Sequence, residues 1–92
     1  MINHVVWHQT QTADLPGTRA TLRQVAVKAG HKAERHHHDH EQFLYVAHGH
    51  GTLQHEGGSI LLEPGTALHL PPGTWHSAEF TADTVLIETN LS

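Results

Sequence analysis

Histidine is the residue type through which this chain could do chemistry. Twelve of its 92 residues are histidine, and they crowd the run Arg35-His36-His37-His38-Asp39-His40-Glu41-Gln42. That run is internal, so it does not read as a purification tag. Side chains on a strand alternate between faces, so His36, His38, His40 and Gln42 would share one face of an unbroken strand. His37, Asp39 and Glu41 would take the other. Two imidazoles at i and i+2 can both reach one cation, at about 2.0–2.2 Å from the metal. A third ligand must then come from another strand. His76 is well placed, because the turn Pro71-Pro72-Gly73-Thr74 just before it can fold a new strand back across the first.

The elements that must position these residues are short. Gly and Pro recur at Pro16-Gly17, Gly30, Gly49, Gly51, Gly57-Gly58, Pro64-Gly65 and Pro71-Pro72-Gly73, and the runs between them are rich in Val, Leu, Ile, Thr and aromatics. This punctuation predicts an all-β sandwich or barrel, with strands near 2–8, 19–28, 34–38, 42–47, 52–56, 59–63, 66–70, 75–80 and 84–89. Glu56-Gly57-Gly58-Ser59 suits a tight hairpin. The first of these strands, followed by a connection over 9–18, is a candidate for pairing with a second subunit, since open sheet edges need cover.

Composition narrows the classes of function. The chain has no cysteine, which excludes disulfide scaffolds, thiol catalysis and Cys-ligated zinc. Its formal net charge of −4 argues against nucleic-acid binding through phosphate contacts. All five basic residues (Arg19, Arg23, Lys28, Lys32, Arg35) precede position 36, so an anionic ligand must find histidines, a metal or that one segment. Apolar runs are too short to span a membrane. The opening MINHVVWHQTQT lacks the basic and apolar regions of a secretory signal, so a cytoplasmic protein is expected.

The spacing Gly30-x5-His36-x-His38-x3-Gln42-x6-Gly49 resembles the first motif of the cupin superfamily, and Gly65-x5-Pro71-x-Gly73-x2-His76-x3-Phe80 resembles the second. The resemblance spans 30–49 and 65–80. It implies one cupin domain over residues 1–92, a double-stranded β-helix or jelly-roll barrel. It also implies one divalent transition-metal ion (Fe, Mn, Ni, Zn or Cu) per chain, on His36, His38, Gln42 and His76. Gln42 stands where the family carries an acidic ligand, with Glu41 beside it as the alternative. Phe80 replaces the asparagine that closes the second motif. Three neutral imidazoles and a neutral amide would leave a divalent ion its full charge, which favours Lewis-acid chemistry over iron oxidation.

Other residues could serve such a site. His40 shares ligand parity, either at the rim or exposed. His55 and His69 lie on expected strands whose alternate residues could line a lumen, and all three are candidate proton carriers. Arg19 and Arg23 share parity on the strand before the first motif and could bind a substrate carboxylate, or form a solvated face. Phe43 and Tyr45 oppose Gln42 and suit an outer core or a dimer interface. The expected function is a metal-dependent enzyme performing isomerisation, ring-opening or lyase chemistry on a small sugar-acid or keto substrate. The ring-opening cupins of uronate breakdown are the closest chemical analogue by resemblance. A dioxygenase using iron and O2, or a metal-loaded module that binds a small molecule without turnover, are the alternatives. A homodimer is expected, with no nucleic-acid or membrane partner.

Overall fold

Strands form where apolar and polar residues alternate, because alternate side chains can then be buried on one face. The computed structural model describes residues 1–91, and nine strands account for their regular structure. β1 (Ala13–Pro16), β2 (Ala20–Val27), β9 (Thr84–Leu91), β4 (Gln42–His48) and β7 (Ala67–Leu70) form one sheet in that order. β3 (Lys32–His36), β8 (His76–Phe80), β5 (Gly51–His55) and β6 (Gly58–Leu62) form the other. Every pairing is antiparallel. This is the expected all-β, double-sheet architecture.

The core lies between the sheets. Along β4, Gln42, Leu44 and Val46 are buried while Phe43 and Tyr45 are exposed. Leu44, Val46 and Leu86 of the five-stranded sheet meet Leu53, Leu62, Ala78 and Phe80 of the four-stranded one. Val46 and Leu62 are fully buried, and truncating Leu62 to Ala should cost about 2–5 kcal/mol. Gly49 turns the chain out of β4 with φ of 103°, and a side chain there would run into Thr84. Two features therefore require glycine at the end of the first motif: the left-handed backbone and the close approach of β9.

The N-terminal segment corrects one expectation. Residues 2–8 form no strand, and the short β1 arises inside the segment 9–18 that reads as a connection. Pro16-Gly17 closes a hairpin there, with Gly17 N–H donating to Ala20 O at 2.7 Å and β1 pairing along β2. The polar QTQTADLP sequence hides this strand because only Ala13 and Leu15 alternate toward an interior. Residues 8–11 instead pass beside β2. The buried Gln24 amide donates to His8 O at 2.7 Å and Gln11 O at 2.9 Å.

Candidate metal centre

The end of β3 and the start of β8 bring the histidines together. His36 is paired with His76 across the two strands, after a register shift between Ala33 and His36. The first-motif strand expected over 34–38 covers Lys32–His36, so His38 lies beyond the ladder. Strand alternation is therefore not what aims His38. Its carbonyl accepts a hydrogen bond of 2.8 Å from Gly73 N–H, and Gly73 has a φ of 79° in the turn before β8. The turn that delivers His76 also fixes His38.

One ring nitrogen from each of His36, His38 and His76 falls within 4.8 Å of the others. His36 Nδ1–H donates to Glu34 O at 2.6 Å and His76 Nδ1–H to Thr74 O at 3.2 Å. These bonds fix the tautomer and leave Nε2 as the free lone pair on both rings. Burial, with neighbouring histidines adding to it, lowers the pKa of His38 below the ordinary imidazole value. His76 is lowered chiefly by burial, with its bond to Thr74 acting in the opposite direction. Three convergent imidazoles, two of them oriented by hydrogen bonds, suit a divalent cation, and the site fits the metal that the spacing implies.

Gln42 opens β4 on the facing sheet, with 6% of its surface exposed. Its register partner Leu70, and Leu44 two residues on, line the cavity that also reaches His36 and His76. Its Nε2 donates to Asn90 Oδ1 at 2.7 Å, which leaves Oε1, the atom a metal would take, outside that bond. Glu41 turns the other way: its Oε2 meets His69 Nε2 at 2.6 Å on the outer surface.

The remaining candidates separate clearly. His40 Nε2 lies 3.3 Å from Asn90 Oδ1, and its ring centre is 5.2 Å from that of His38, so it stands at the rim. His55 is opposite His76 in register, but its Nδ1 accepts a hydrogen bond of 3.1 Å from Gly57 N–H in its own hairpin. His69 pairs with Phe43 in register, on the outer face of the sheet, and does not line the lumen. The expectation for His69 fails because β7 presents Leu68 and Leu70 inward. Arg19 is exposed in the bend between β1 and β2, so it does not share a strand with Arg23. The Arg23 guanidinium is held by Asp14, with contacts of 2.9 and 3.1 Å, and stands 4.0 Å from Glu88. Carboxylates of the chain itself already occupy it.

Two polar residues of β9 escape a sequence reading. Thr84, Leu86, Glu88 and Asn90 share one parity, and register places Glu88 beside Leu44 and Arg23. A carboxylate on an otherwise inward parity was the available signal. Glu88 lines the same cavity as His36 and His76. Burial raises its pKa, with Arg23 and Asn90 opposing the shift.

Comparison with known proteins follows this geometry. The cupin domain profile (Cupin_2) matches residues 23–88. KdgF of Halomonas sp. is 26% identical, with 89% of this chain and 78% of that chain covered at a TM-score of 0.75. A cupin superfamily protein of Desulfitobacterium hafniense is 12% identical over 95% of this chain and 83% of that chain, with a TM-score of 0.76. Salicylate 1,2-dioxygenase of Pseudaminobacter salicylatoxidans is 17% identical over 78% of this chain but 21% of that chain, with a TM-score of 0.73. No curated protein matches the chain.

Proposed function

The chain belongs to the cupin domain family, and from that premise we propose that it is a metal-dependent enzyme acting on a small oxygenated substrate. His36, His38 and His76, completed by Gln42, would hold one divalent transition-metal ion. The observation that carries this reading is the convergence of three imidazoles, two of them oriented by hydrogen bonds, at a cavity between the sheets. The ion, when bound, supplies Lewis acidity toward a carbonyl or hydroxyl oxygen. Isomerisation, ring-opening or lyase chemistry on a sugar-acid or keto substrate follows from that capacity.

The chain's own residues do the rest. The bonds from His36 to Glu34 and from His76 to Thr74 hold the ligand rings in place. Gln42, kept neutral and tied to Asn90, leaves the charge of the site undiminished. Proton movement falls to His40 at the rim or Glu88 on the cavity wall, since His55 is engaged by its own turn and His69 by Glu41.

Elemental analysis of tag-free protein, purified without chelator, tests this directly. One equivalent of zinc, nickel or manganese, lost in both His36→Ala and His76→Ala, is the expected result. Turnover should then appear in isomerisation and ring-opening screens with keto sugars and uronates. One equivalent of iron with substrate-dependent O2 consumption would move the assignment to a dioxygenase. No metal, even after reconstitution, would remove the mechanism.

A further inference from the structure

β3 reaches the metal centre through an irregularity in its pairing. Ala33 pairs with Ala78 and His36 with His76, so three residues of β3 span the distance that two cover on β8. One residue of Glu34-Arg35 is therefore extra, which is the mark of a β-bulge. Ala33, His36, His76 and Ala78 all line the cavity. On a regular strand residues three apart face opposite ways, so it is the extra residue that lets Ala33 and His36 share the inner face.

The regular alternative makes plain what the bulge accomplishes. Continuing the Ala33–Ala78 register would set Arg35 opposite His76 and His36 opposite Trp75. His36 would then turn outward, since a slip of one residue exchanges the two faces. Arg35 would turn inward and bring a guanidinium against the imidazole cluster, where its charge repels a divalent cation. The two registers differ in whether the metal centre exists.

Arg35 and Trp75 distinguish them. Each directly precedes a ligand, His36 and His76 respectively. The exposed Arg35 holds its guanidinium carbon 4.2 Å from the centre of the half-buried Trp75 ring, well within cation–π range. This contact joins the bulged stretch of β3 to the residues entering β8. In the regular register the two side chains would lie on opposite faces and could not stack. β3 stands at the edge of its sheet and His36 is its last residue, where local opening of a strand costs least. What the stack adds there changes the fraction of chains poised for a metal.

We propose that Arg35 and Trp75 are positioning residues, whose stack holds the bulge and so keeps His36 on the inner face opposite His76. The consequence for metal affinity rests on the metal reading above; the register does not. Lys32 and Glu79 supply a control in the same ladder. They are a register pair on the regular side of the bulge, with Nζ 3.8 Å from Oε1 and both side chains largely exposed.

Local opening is read first, on the metal-free protein, by amide hydrogen exchange around His36 and His76. Arg35→Ala and Trp75→Ala should each speed exchange there about 2–5-fold, the range of an exposed cation–π contact. Zinc affinity against a competing chelator should fall by a similar factor. The double variant should lose no more than Trp75→Ala alone, because both substitutions remove one contact. Arg35→Lys, which keeps a cation over the ring, should restore both readouts, and Lys32→Ala should move neither. Exchange and affinity unchanged in both alanine variants would overturn the clamp and leave the metal reading standing. Faster exchange with unchanged affinity would overturn the positioning role and leave a purely structural contact. Additive losses without rescue by Arg35→Lys would overturn it as well, since the two side chains would then act separately. If the native chain takes up no zinc, the metal reading falls, and hydrogen exchange alone still decides whether the stack holds the register.

Discussion

Glu41 and Gln42 are adjacent in the chain, yet each is bonded to a partner on the opposite side of one sheet. Glu41 meets His69 at 2.6 Å on the outer surface, where the two side chains are 37% and 47% exposed. Gln42 meets Asn90 at 2.7 Å inside, where Gln42 is 6% exposed. Judged by residue type alone, the outer pair is the better metal site, since it offers a carboxylate and an imidazole. Its position on the pleat keeps it from the cavity. The inner pair is chemically weaker, but it shares the inward parity of Leu44 and Glu88, which line the cavity of His36 and His76. A donor's usefulness is set first by which face of the strand it takes.

The sharpest way to break this comparison is to remove the same residue type from each face. His76→Ala should lower metal content from one equivalent to near none, whereas His69→Ala should leave it unchanged by mass spectrometry. The next contrast uses neighbouring positions. Gln42→Ala should weaken metal retention against a competing chelator more than Glu41→Ala does, and the reverse order would place the ligand register one residue away. Asn90→Ala should act through Gln42 with a smaller loss, about 10–100-fold in affinity, as is usual when a ligand's hydrogen-bond partner is removed.

Glu88 extends the inner face to pH. Its pKa is raised in the folded protein, chiefly by burial, so the native state holds its proton more tightly than the unfolded chain does. Its contribution to stability is present at pH below the ordinary carboxyl range and declines as pH rises through the folded value. Glu88→Gln should flatten that part of the metal-free stability profile measured by chemical denaturation. The smallest effect belongs to the outer face. Removing the exposed Glu41–His69 contact by Glu41→Ala should change stability by about 0–1 kcal/mol, and a larger loss would mean that the outer pair is more than a solvated ion pair.

The sequence made the histidine cluster legible because two spaced motifs mark His36, His38 and His76, and turn residues mark the strands between them. It placed His36 and His38 on one strand, however, and the structure ends β3 at His36. No strand periodicity predicts the Gly73–His38 hydrogen bond that aims the second ring, since it joins distant turns. His69 was misassigned because parity is relative. Alternation says that His69 opposes Leu68 and Leu70, and only the pairing with β4 says which side is inward. Glu88 and Asn90 were missed for the related reason that β9 lies outside both motifs. β1 was missed because its four residues carry little apolar alternation.

The place of β9 also bears on how the barrel comes to exist. It is the ninth strand in chain order but the third in its sheet, hydrogen-bonded to β2 on one side and β4 on the other. Until it arrives, both neighbours present open edges, the state from which chains associate wrongly. Its pairings with β2 span most of the sequence, and such distant closures place all-β domains among the slower folders, in milliseconds to seconds. As the chain emerges from a ribosome, the histidines precede the strand that encloses them. Glu88 arrives with that strand, so closing the sheet and completing the polar wall of the cavity are one kinetic event.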